Sequence, residues 1–147
     1  MGDDELLERF EDTSLPFASF RHEEHVRVAY LYLRQHTLLD VLARFPKNLQ
    51  KFAAAHGKAG LYHQTISWTY LFLIHERLAA SVAGASATWT EFKQRNPDLL
   101  DRENSILAKY YAKQTLSSAE AREHFVMPDR LAPAECPVHA ALVSDES

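Results

Sequence analysis

The sequence predicts an all-α, single-domain helical bundle. Its two long core helices are expected at about 20–36 and 61–81, with a broken antiparallel partner at 38–56 and short C-terminal helices. Three observations carry this. Ala, Leu, Glu and Arg dominate while there are only four glycines, a helix-forming palette. Apolar residues recur at helical spacing, and no segment alternates apolar with polar as a half-buried strand would. Capping signatures divide the chain into helix-sized pieces.

At 147 residues the chain can bury a substantial core in one domain. That domain is expected to span 1–130. Three prolines from Pro128 onward and a polar end make 131–147 an extended arm and tail.

Taken in order, Asp3 or Asp4 caps a short helix carrying Leu6, Leu7 and Phe10. Asp12-Thr13-Ser14-Leu15-Pro16 is a cluster of turn formers that breaks it. Ser19 is the expected N-cap of the next helix, with Phe20 at its first position. His22, His25, Val26, Ala29, Leu33 and His36 then share one face about 80° wide. Thr37 and Asp40 form a capping pair for a helix with Leu38, Val41, Leu42 and Phe45. Pro46 either kinks it or starts another, which turns Leu49, Phe52 and Ala53 inward. Gly57 is the expected left-handed stop, leaving His56 as the last helical residue.

The segment 66–74 has large apolar groups on every side, so 61–81 reads as a central, surrounded helix. A small-residue loop follows at 81–87. Thr88 and Glu91 cap a short helix through Trp89 and Phe92. Asn96-Pro97-Asp98 opens another that reaches Tyr110 or Tyr111, with an interruption near Asn104. Ser117 or Ser118 caps a last helix over 119–125.

Several function classes fall away. A net charge of −4 supplies no basic field for nucleic acid. The longest apolar run, 70–74, is far short of the roughly 20 residues that span a bilayer. The acidic N-terminus lacks a signal-peptide pattern. The single cysteine, Cys136, supports neither an internal disulfide framework nor a Cys-based zinc site. A cytoplasmic location is expected.

Position gives meaning to the eight histidines. Short connections between long helices favour antiparallel neighbours. The starts of the first and third long helices then lie at one end, with the end of the second. That end holds His22, His25, His56 and His63. His36 and His75 go to the other end; His36 lies about 16 Å from His25 at about 1.5 Å per residue. Helix N-termini disfavour a cation, so neutral imidazoles are expected at His22, His25 and His63. His22 and His25, three residues apart, can approach one ion. Imidazole-rich sites suit Zn, Cu, Fe or Ni.

The leading expectation is therefore an enzyme with one His-bound transition metal. His22, His25 and His63 are its ligands, His56 lies at the edge, and Tyr62, Thr65 and Tyr70 orient a small-molecule substrate. The alternative is a non-catalytic helical module that binds a small ligand or a protein partner, with the histidines as helix-end caps. No His-Glu-x-x-His helix and no paired Glu-x-x-His motif is present.

Phe20-x-His22-x-x-His25, then Ala53-Ala54-Ala55-His56-Gly57, then Tyr62-His63-x-Thr65 resembles a group of uncharacterised small helical bacterial proteins. The likeness covers roughly residues 14 to 130. In that group an acidic residue usually follows the Tyr-His pair, where Gln64 stands here. The resemblance implies a helical fold and one pocket, and no reaction.

Overall fold

The computed structural model describes residues 1–80 and 88–130. The expected loop at 81–87 and the arm and tail at 131–147, with Cys136 and His139, lie outside the described residues. Eight α-helices occur among the described residues, and no strand. They are α1 (Asp3–Glu11), α2 (His22–Gln35), α3 (Leu38–Ala55), α4 (Gln64–Ala80), α5 (Trp89–Arg95), α6 (Pro97–Leu100), α7 (Lys113–Leu116) and α8 (Ala119–Glu123). Short 3-10 turns at Phe17–Ser19, Ala59–Leu61 and Ile106–Lys109 separate some of them. No helix among the described residues is long and apolar enough to cross a membrane.

The core is built where α2, α3 and α4 pack pairwise, with α1 laid across α2 and α3 and α8 against α4. Phe10 is fully buried at its centre, with ring centroids 5.1 Å from Phe20, 5.4 Å from Phe52 and 6.1 Å from Phe45. A truncation there costs about 3–5 kcal/mol by analogy with other buried phenylalanines. Arg27 of α2 ties α1 in place through Asp3 at 2.6 Å.

Several helix boundaries follow their caps. The Thr37 hydroxyl accepts the Asp40 N–H at 3.3 Å, Thr88 accepts that of Glu91 at 3.2 Å, and Ser118 accepts that of Ala121 at 3.1 Å. Gly57 stands at φ +69°, the left-handed stop that glycine adopts without strain.

Other boundaries differ. Helix α2 begins at His22 because Phe17–Ser19 forms its own 3-10 turn, in which Ser19 N–H bonds Pro16 O at 2.9 Å. Arg21, not Ser19, is the N-cap, and its N–H is met by the Glu24 carboxylate at 3.0 Å. Helix α4 likewise starts at Gln64, after the 3-10 turn that holds Leu61. Helix α6 stops at Leu100, since Asp101 turns extended (ψ 104°) and a 3-10 turn replaces the expected continuation.

Helix α3 is unbroken through Pro46. Proline has no N–H, so the Leu42 carbonyl one turn earlier loses its helical donor. The indole Nε1–H of Trp68, on α4, donates to that carbonyl at 3.1 Å. A neighbouring helix thus supplies the missing bond, and the helix runs on.

Among the described residues, helix α4 is not surrounded. Thr65, Ser67 and Thr69 are buried, while Trp68 is half-buried and Phe72 is 37% exposed. Small hydroxyl residues face the core because their Oγ atoms can be satisfied there: Thr69 Oγ1 donates to Thr65 O at 2.7 Å. Trp68 and Phe72 pack instead on Phe125, with centroids at 5.5 and 5.7 Å.

Candidate functional site

The start of α2, the end of α3 and the start of α4 enclose a cavity of 220 Å³. Its walls are mainly apolar: Phe17 and Phe20 from the turn before α2, Leu49 and Phe52 from α3, and Ile66 from α4. The polar walls include His25, Tyr62 and His63. A more open cavity of 440 Å³ adjoins it, sharing Phe17, Phe20, His25 and Leu61 and adding Arg21, His22 and Arg102. His25 and His63 therefore share the inner cavity, and His22 and His25 the outer one. His56 lines neither.

The bonding of each ring defines what it can do. His63 is buried and uses both nitrogens. Nε2–H donates to Leu116 O at 2.8 Å, and Nδ1 accepts the Ile66 N–H at 3.2 Å. A carbonyl can only accept and an amide can only donate, so this ring is the Nε2–H tautomer with no lone pair left over. It is the N-cap of α4, doing with an imidazole what Ser or Asp usually does. His22 Nε2–H donates to Leu99 O at 2.9 Å, and its ring edge meets Tyr70 at 5.2 Å. His56 Nε2–H donates to Thr13 O at 3.2 Å, with its ring 4.7 Å from that of Phe52. That carbonyl belongs to a residue held at φ +66°, so His56 supports a strained turn and does not cover its own helix end.

His22, His25, His56 and His63 are the four residues expected to hold a metal. Among the described residues, no group of three or more His, Cys, Asp or Glu side chains could hold a metal ion. The helix ends do meet, but three of the four imidazoles are turned to backbone carbonyls that lie 43 to 77 residues away in the chain.

His25 is the exception. Its ring lies between Phe20, at 5.7 Å, and Phe45, at 5.3 Å. Its Nε2 is closed off from solvent and has no hydrogen-bond partner among the described residues. Burial first, and the nearby His22 second, lower its pKa from 6.5 to about 4. The residue keeps some exposure along the cavities, so the ring is a neutral imidazole at the junction of core and cavity.

The three expected substrate-orienting residues separate. Tyr62 lines the inner cavity, and its hydroxyl donates to the Gln64 side chain. Burial raises its pKa, so the phenol stays protonated. Thr65 and Tyr70 line neither cavity. Thr65 Oγ1 is fully buried, donating to His124 O at 2.8 Å and accepting Val126 N–H at 3.1 Å. Tyr70 is buried against His22 and reaches Ser105 at 3.4 Å.

Sequence reading passed over the arginines. Arg122 of α8 donates to Gly60 O at 3.0 Å and Tyr62 O at 3.3 Å, fixing the turn that forms one cavity wall. Arg21 and Arg102 stand at the outer cavity. No local pattern marks Arg102 or Arg122, because each acts across a long stretch of chain. Arg21, one residue before His22, was open to notice. The chain matches no protein-family model, no curated protein and no solved structure.

Proposed function

We propose that the protein is a helical module that binds a small, largely apolar ligand in the cavity between the starts of α2 and α4. The observation that carries this is His25, a cavity-lining imidazole whose buried Nε2 has no partner among the described residues. A buried polar group left unsatisfied costs about 1–3 kcal/mol, and folded proteins keep few of them. A mostly apolar concavity with a few polar groups is the usual form of a ligand site. A ligand with one polar atom could give Nε2 its missing bond after a small rotation of the ring. The other histidines support the walls: His63 caps α4, His22 holds α6, and His56 holds the turn at Thr13.

The test is an amide NMR titration of untagged protein with phenol and with indole, repeated for Ala53→Phe, which fills the cavity from the α3 side. Saturable shifts at His25, Tyr62 and Ile66 that vanish in a folded Ala53→Phe protein are expected. Shifts that survive Ala53→Phe, or no saturable shifts at all, refute the reading. The metal-dependent alternative makes a different demand, because His63 must free Nδ1 from the Ile66 N–H before it can ligate. Stoichiometric metal that falls in both His22→Ala and His63→Ala would favour it over the cavity reading.

A further inference from the structure

We propose that the ligand is a small apolar monocarboxylate, its body in the inner cavity and its acid group in the outer one between Arg21 and Arg102. This rests on the cavity being a ligand site, and adds the chemistry of what enters it. The two cavities share Phe17, Phe20, His25 and Leu61 as walls and differ in character; we take them as adjoining parts of one site. The inner 220 Å³ holds no charged wall. It lies below the roughly 300–1,000 Å³ of drug-sized ligand sites, so the body is a single ring or a short chain.

The outer 440 Å³ carries the guanidinium-bearing Arg21 and Arg102 with His22, and no carboxylate is among its walls. That is a positive mouth on a chain whose net charge is −4. Neither arginine takes part in a salt bridge among the described residues. Of the acids nearby in sequence, Glu23 pairs with Lys93 at 2.8 Å and Asp101 accepts the Asn104 N–H at 3.0 Å; Glu24 is held at the Arg21 backbone N–H at 3.0 Å and Glu103 follows Arg102, but neither lines the outer cavity. Guanidinium groups bind carboxylates through paired N–H donors. The start of the 14-residue α2 adds its positive end. A dianion is disfavoured, since nothing in the inner cavity would meet a second charge.

The experiment compares acids with their neutral amides of equal size: hexanoate against hexanamide, and phenylacetate against phenylacetamide. Affinities come from NMR titration at low salt on the wild type, Arg21→Gln, Arg102→Gln and the double variant. The acid of at least one pair is expected to bind about tenfold tighter than its amide, the low end for charge-assisted bonds at an exposed site. That preference should shrink in each single variant and disappear in the double. Equal binding of acid and amide overturns the carboxylate inference and leaves the cavity reading standing. A preference that survives the double variant also overturns it. If neither acids nor amides bind, the carboxylate inference falls, and the cavity reading falls with it only if phenol and indole also fail to bind.

Discussion

Replacing His25 with leucine tests the orphaned imidazole directly. Leucine has a similar volume, and it removes Nε2 and its unmet hydrogen bond from beside Phe45. Near neutral pH two changes oppose each other. Relief of the unsatisfied nitrogen returns about 1–3 kcal/mol, while loss of the ring contacts with Phe20 and Phe45 costs about 0.5–1.5 kcal/mol each. The variant should therefore lie within about 1 kcal/mol of the wild type there.

Acid separates the two proteins. Folding lowers the His25 pKa from 6.5 to about 4, so between those values the unfolded chain binds a proton that the native state refuses. Stability that is whole above pH 6.5 is lost as pH falls towards 4. At about pH 4.5 the loss comes to about 2 kcal/mol, after allowing for the partial exposure of the ring. Urea unfolding at about pH 7 and about pH 4.5 should show the wild type losing that much more stability than His25→Leu. Equal losses in the two proteins would refute the burial argument. A variant weaker by more than about 3 kcal/mol at neutral pH would show that the imidazole has a partner in the core.

Further substitutions probe two bonds that cross between segments, at His63 and at Trp68. His63→Ala removes the α4 cap and leaves Leu116 O without its donor, for a loss of about 2–4 kcal/mol. His63→Asn keeps a capping oxygen and should recover about 1 kcal/mol of it; thermal melts of equal midpoint for the two variants would rule out the cap. Trp68→Phe leaves the Leu42 carbonyl unpaired in a helix already short of a donor at Pro46. It should cost about 2 kcal/mol, and Pro46→Ala in the same background should restore part of the loss. A melting temperature that Pro46→Ala does not raise in the Trp68→Phe protein would break the link between the two residues.

Local chemistry was readable in the sequence and distant chemistry was not. Thr37, Thr88, Ser118 and Gly57 mark their helix ends through bonds or dihedrals within a few residues. Phe20 and Leu61 were misplaced by a few residues because the 3-10 turns beside them use the same apolar residues as a first helical turn would. The apolar pattern of 66–74 hid the orientation of α4, since hydropathy cannot reveal that Thr65 and Thr69 find buried acceptors. The continuity of α3 was illegible for the same reason: the donor that rescues Leu42 is 26 residues away. Topology brought His25 and His63 to one cavity, as helix order suggested. It could not say that His63 would spend both nitrogens on Ile66 and Leu116.

The fastening of α4 has a consequence for the order in which the chain matures. The first turn of this helix is completed by groups that emerge well after it: His63 by Leu116, Thr65 by His124 and Val126, and the turn before it by Arg122. These closures span 53 to 62 residues. Such long-range closures carry their entropic cost before any contact repays it. On the ribosome, α1 to α3 can assemble around Phe10, but the cavity wall at Tyr62 and His63 stays unfinished until α8 has left the exit tunnel. The inner cavity is thus finished only once residues 116–126 are present, and a fragment ending before residue 116 would have helices without a finished cavity.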